Sequence, residues 1–224
     1  MQWSVGPKSD PVKAQIIKQS VPSWAIPFTK PPQAPKTARA PSDLGGDKVL
    51  PGGAPQGAET AKRMGTAVHQ LLEVLPNAAQ SQWDNIAERL IEADIRAPAC
   101  QEARAVMQKQ ELAYIFAPES LAEVDVTAHL PELNGDPIQG SIDRLIISPT
   151  QVLAVDFKTN QIVPSEAEQV PSGLLKQMGA YAAALSQIYP DHDIKTAILW
   201  TKTLELMPLP KDLVISSLAN TPLT

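Results

Sequence analysis

Residues 122–159 read AEVDVTAHLPELNGDPIQGSIDRLIISPTQVLAVDFKT. Ala122, Val124, Val126, Ala128 and Leu130 alternate with Glu123, Asp125, Thr127 and His129, the period-two pattern of a half-buried strand. Asn134-Gly135-Asp136 marks a turn, Ile138 to Ile147 a second strand, Pro149-Thr150 the next turn, and Val152 to Lys158 a third strand. Three strands joined by short turns predict an antiparallel meander.

On either side of this stretch the period is helical. Ala61, Met64, Val68, Leu71, Leu72 and Leu75 recur at 3.6-residue spacing from Glu59 onward, and Pro76-Asn77 ends the pattern. Ser81 with Asp84 reads as a capping box opening a second helix along Trp83, Ile86, Ala87, Leu90 and Ile91, closing near Pro98. A third helix is expected over roughly Ala99 to Leu112. After the meander, a helix from about Ser172 to Tyr189 precedes a β-rich run, Ile194 to Thr201, with a short partner at Leu204 to Met207. The architecture predicted is α+β, a mixed sheet flanked by helices.

Ten of the 22 prolines fall within the first 55 residues, with no apolar periodicity between them, so residues 1–57 read as a Pro-rich linker or tail and 58–224 as the folded domain. Residues 1–63 hold nine Lys/Arg against four Asp/Glu and residues 64–224 ten against twenty, which makes the tail +5 and the body −10. A body that acidic repels phosphates at long range unless cations or a basic partner intervene. No stretch approaches the ~18 consecutive apolar residues of a membrane span. The first residues, MQWSVGPKSD, lack a basic and an apolar leader region, and the single Cys100 cannot form an internal disulfide, so a cytoplasmic protein with no membrane association is expected. One cysteine also excludes a four-cysteine iron–sulfur cluster on this chain.

Five groups of residues are candidates for chemistry. In Val155-Asp156-Phe157-Lys158-Thr159, strand geometry puts Asp156 and Lys158 on one face, where a carboxylate can hold a divalent cation and a lysine can orient water; an ordinary surface ion pair is the alternative. One strand earlier, Asp143 in Gly140-Ser141-Ile142-Asp143-Arg144 sits about as far from the Pro149-Thr150 turn as Asp156 does. The two could then face each other, although a solvated Asp143 paired with Arg144 is also open. Glu123 adds a third acid on a polar strand face, or is an exposed strand residue. His69, one position past the core residue Val68 and one turn after Gly65, becomes a credible metal ligand only if its helix packs against the edge bearing both aspartates. Gln177 and Tyr181, four apart, share a helix face from which they could reach a phosphate or the lysine, or merely pack.

The series G-x-x-x-H-x-x-L-E, E-x-x-V, G-x-x-D-x-L, V-D-F-K-T and Q-M-x-x-Y, taken in order, resembles the RecB-like branch of the PD-(D/E)xK nucleases, over roughly Gly65 to Trp200. Its nearest likeness is to the C-terminal nuclease domain of AddA-type helicase-nuclease subunits, including the Pro-rich approach and the L-W-T strand. The resemblance implies a restriction-endonuclease-like core and a metal-dependent DNA exonuclease for double-strand break repair. It places His69, Asp143, Asp156 and the Phe157 carbonyl around Mg²⁺ or Mn²⁺, Lys158 as the catalytic lysine, and Glu123, Gln177 and Tyr181 in support. It further implies DNA, a helicase motor in cis or trans, and an AddB-type subunit as partners. No G-x-x-x-x-G-K-[ST] motor signature occurs, so the chain reads as a fragment, a truncated product or a split subunit. A catalytically silent scaffold that guides DNA or binds a partner subunit is the competing function, and an unrelated α+β binding module a third.

Overall fold

The computed structural model describes residues 37–50 and 57–221. In chain order the helices are α1 (Ala58–Val74), α2 (Trp83–Leu90) and α3 (Ala93–Gln108). Strands β1 (Leu121–Leu130), β2 (Asp136–Ile147) and β3 (Gln151–Lys158) follow, then α4 (Ser172–Ile188), β4 (Asp193–Trp200), β5 (Glu205–Leu209) and α5 (Lys211–Ala219). The strands form one mixed sheet in the order β1-β2-β3-β4-β5. β1, β2 and β3 are the expected antiparallel meander, β4 runs parallel to β3, and β5 returns antiparallel. A parallel neighbour needs a crossover, which α4 supplies.

Helices cover both faces of the sheet, because β3 and β4 are apolar on both sides. Ala154 and Ile198 join α4 and α5 in one core, while their neighbours Val155, Phe157 and Leu199 join α1 and α3 in another. Each such side chain contributes on the order of 1.5–3 kcal/mol when fully buried. α1 buries Val68, Leu71 and Leu72 of the stripe read from its spacing, and Ala67 beside them, while Ala61 and Met64 are half-buried.

The helical region differs from expectation at two boundaries. Ser81 caps nothing: it lies within a short 3-10 turn, Gln80–Gln82, and α2 begins at Trp83 without a side-chain cap. The junction is held instead by the Trp83 indole, which donates to the Leu75 and Ala78 carbonyls, each at 3.1 Å. The second helix ends at Leu90 rather than near Pro98, and Pro98 falls inside α3. A proline in the second turn gives up one backbone bond, a cost that the burial of Ile95, Ala99, Ala103 and Val106 offsets. Arg63 of α1 ties the α2–α3 junction, pairing with Glu92 and reaching Asp94 at 2.9 and 3.0 Å. α5 had no counterpart in the sequence reading, since its apolar pattern is short and follows a proline.

Part of the stretch read as linker belongs to the body. Arg39 extends the sheet beside β2, its N–H donating to the Pro137 carbonyl and its carbonyl accepting the Gln139 N–H, both at 3.0 Å. Leu44 is 1% exposed and joins the α4 core, and the Asp47 carbonyl accepts the Gly173 N–H at 2.8 Å. Gly46, at φ +93°, passes so close to α4 that a Cβ there would lie 2.8 Å from the Gly173 backbone nitrogen. Burial of Pro41 and Leu44 and a few backbone bonds decide this packing, and neither leaves a periodic signal. Residues 1–36 and 51–56 of that stretch lie outside the described residues.

Candidate active site

β2 and β3 pair from Ile147↔Val152 to Arg144↔Val155, and the ladder stops there. The next pair in register would be Asp143 and Asp156, which confirms that the two acids are equidistant from the turn. Their strands do not continue the backbone ladder. The Asp143 carboxylate takes its place, Oδ2 accepting the Phe157 N–H at 2.5 Å. On its other side Asp143 faces Glu123, the one position between Leu121 and Leu130 where β1 and β2 make no ladder pair. Glu123 there adopts φ +47°, a left-handed conformation that costs a non-glycine residue roughly 1–2 kcal/mol. Strain of this kind, held in place by surrounding structure, concentrates at functional sites. Alternation lapses at the same point, Ile142, Asp143, Arg144 and Leu145 being buried in succession.

α1 does pack against this edge. His69 Nδ1 lies 3.2 Å from Asp143 Oδ1, and its ring meets the Phe157 ring edge-on with centroids 5.7 Å apart. Glu123 is oriented by Ser141, whose hydroxyl donates to its Oε2 at 3.0 Å. One donor atom from each of His69, Glu123 and Asp143 falls within 4.8 Å of the others. Two carboxylates and an imidazole at that spacing suit a hard divalent cation, and they bring more negative charge than His69 alone can balance. Glu123, expected only in a supporting role, thus lies close enough to His69 and Asp143 to share a cation with them.

Asp156 has other partners. It is 3% exposed, paired with the Lys158 ammonium, and accepts a hydrogen bond from Gln177 Nε2 at 2.7 Å. The Gln177 amide also lies 3.3 Å from the Tyr181 hydroxyl, which donates to the Ser141 carbonyl at 2.6 Å. α4 therefore links Asp156 to β2 through two side chains. Gln177 and Tyr181 thus reach Asp156 and the β2 backbone. Phe157 contributes its backbone N–H to Asp143 and its ring to the α1–α3 core.

Arg144 is not the partner of Asp143. Its guanidinium turns to the end of α1, donating to the Leu72 carbonyl at 2.6 Å and lying 5.3 Å from the centre of the Phe116 ring. A cation at a helix C-terminus meets the negative end of the helix dipole and the otherwise unpaired last carbonyls. This anchors the helix bearing His69. Its role was hidden in the sequence, where an arginine inside the buried run Ile142–Leu145 was the only sign.

Electrostatics divide the two aspartates. Burial works to raise both, but the His69 hydrogen bond and charge, with the Phe157 N–H, hold Asp143 below the usual carboxylate range. Asp156 is pushed above that range by burial, with the Asp143 charge adding to it against the pull of Lys158. Burial opposes charging of His69, but Asp143, with Asp156 behind it, outweighs this and raises the imidazole above its ordinary value. Glu123 is raised by desolvation and by the charges of Asp143 and Glu73, against the Ser141 hydroxyl.

A model of the PD-(D/E)XK nuclease superfamily matches residues 45–208, well over half of the 224-residue chain and a span containing every residue of this site. No curated protein matches the chain. Among solved structures, a "Putative exonuclease" from Eubacterium rectale superposes with a TM-score of 0.48 at 11% identity, over 69% of this chain and 62% of that one. SSO0001 shares 12% identity at a TM-score of 0.31, over 75% of this chain and 86% of its own. This chain spans less than two thirds of the Eubacterium rectale protein, and the assignment rests on the family model and the site. The chain belongs to the PD-(D/E)XK nuclease superfamily.

Proposed function

We propose that the chain is a Mg²⁺- or Mn²⁺-dependent DNA exonuclease domain of the AddA type, working with a helicase motor and an AddB-type subunit in double-strand break repair. The observation that carries the nuclease reading is one structural edge where His69, Glu123 and Asp143 cluster beside an Asp156–Lys158 pair. The order of motifs from Gly65 to Tyr181 supports the narrower AddA-type assignment.

A bound divalent cation would neutralise phosphate charge and make water easier to deprotonate. His69, Glu123 and Asp143 would hold it, with Asp156 and the Phe157 carbonyl as the further ligands that the resemblance implies. Lys158 directs its ammonium to the attacking water and to charge developing on the phosphate, a preorganised electrostatic effect. Gln177 orients Asp156, and Tyr181 fixes β2 at Ser141. The acidic body explains why a motor or partner would deliver DNA: ten Lys/Arg against twenty Asp/Glu in residues 64–224 give little long-range attraction for phosphate.

Incubation of the protein with end-labelled linear duplex, linear single strand and closed circular DNA, with Mg²⁺ or Mn²⁺, tests this reading. Release of nucleotides from linear substrates alone, abolished in Asp143→Ala, is expected. Cutting of closed circles would overturn the exonuclease assignment. No metal-dependent cutting by the protein joined to its motor would favour a silent scaffold.

A further inference from the structure

One buried carboxylate among the described residues lies outside the site described above. Glu102 of α3 is 8% exposed, and a carboxylate so placed is costly unless its oxygens are matched. Both are. Oε1 accepts the Thr201 hydroxyl at 2.5 Å, and Oε2 lies 2.6 Å from the Lys202 ammonium. Thr201 and Lys202 are the first two residues beyond β4, where the chain leaves the sheet for the turn into β5.

The same two residues adjoin the end of β3. The ladder between β3 and β4 closes at Lys158↔Trp200. One further bond follows, the Thr201 N–H donating to the Lys158 carbonyl at 3.0 Å. The Thr201 hydroxyl oxygen is also 3.1 Å from that carbonyl, but it has a single proton, and the nearer, charged acceptor is Glu102. The main-chain N–H is left to hold Lys158. Glu102 thus fixes the rotamer of Thr201, Thr201 fixes the peptide that carries the lysine, and Lys202 adds a second anchor to the same turn.

We propose that Glu102 and Thr201 are positioning residues that clamp the end of β3 and so set where the Lys158 ammonium stands; this rests on the reading of Lys158 as a catalytic residue. The physical need is plain. Lys158 is the last residue of its strand, its ammonium rides on a flexible four-carbon stem, and past Trp200 no ladder restrains it. A clamp on its carbonyl removes backbone freedom that the side chain would amplify, and small misplacements of a reacting group are expensive in rate.

The test compares Thr201→Val, Thr201→Ser and Glu102→Gln in the full chain, measuring kcat and KM for DNA cleavage and, separately, Mn²⁺ binding. Thr201→Val keeps the shape and loses the hydroxyl, so kcat should fall about tenfold while KM and the Mn²⁺ Kd stay within about twofold. Thr201→Ser should restore the rate. Glu102→Gln keeps an acceptor for Thr201 and loses the charge, and should show a smaller loss, about threefold in kcat; it also serves if Thr201→Val does not fold. In a Lys158→Ala background neither substitution should lower the rate further, because the clamp acts through that lysine. A wild-type kcat in both variants would overturn the proposal, as would a kcat loss that persists undiminished without Lys158. If Lys158→Ala itself cleaves normally, it is the catalytic reading of the lysine that fails, a result distinct from either.

Discussion

Asp143 Oδ2 accepts the Phe157 backbone N–H at 2.5 Å, so a side-chain carboxylate closes the sheet at the point where the β2–β3 ladder ends. The residue proposed as a metal donor is thereby also a strand clamp, and the two duties are separable. Asp143→Asn keeps an oxygen for the Phe157 N–H and should fold normally while losing Mn²⁺ affinity. Asp143→Ala leaves that buried N–H unpaired and should also lose about 1–3 kcal/mol in urea unfolding. Equal stability of the two variants would show that the clamp contributes nothing.

Lys158→Ala separates catalysis from folding. The apolar layer rests on Val155 and Phe157, so the fold should survive, with some stability lost because the buried Asp156 carboxylate loses its ammonium. Cleavage should fall on the order of 10²–10³-fold with Mn²⁺ binding retained. Asp156→Ala should lose cutting and metal affinity together. Isothermal titration with Mn²⁺ beside a nuclease assay distinguishes the two outcomes, and near-normal cleavage by Lys158→Ala would reduce the lysine to a surface residue.

The raised pKa of His69 gives metal binding and metal-free stability opposite pH dependence. A metal takes the neutral imidazole, so Mn²⁺ affinity should climb as pH rises through a midpoint above the ordinary 6.5. Without metal, the charged imidazole paired with Asp143 contributes stability that is fully present below 6.5 and lost as pH rises through the raised folded value. The gap in thermal stability between wild type and His69→Ala should therefore narrow with increasing pH. A gap that widens instead would contradict the pairing.

Leu44→Ala tests whether the segment before α1 is structural. Leu44 is 1% exposed within the α4 core, and truncating a buried leucine costs about 2–5 kcal/mol. A loss under about 0.5 kcal/mol, the usual scale of a surface change, would return this segment to the status of a tether.

The sequence by itself determined the meander, the amphipathic α1 and the identity of the acids, because period-two and 3.6-residue patterns report directly which faces are buried. It also determined that Asp143 and Asp156 lie equidistant from one turn, since register follows from counting residues along antiparallel strands. Tertiary structure alone decided what those residues touch. The turn of Arg144 toward the end of α1, the approach of His69 to Asp143 and the Glu102–Thr201 contact each join elements far apart in the chain, and no local propensity encodes a distance across a sheet. The same holds for Pro98 within α3 and for Leu44 beneath α4, where burial against distant partners outweighs the local signals of a helix breaker and of a Pro-rich tail.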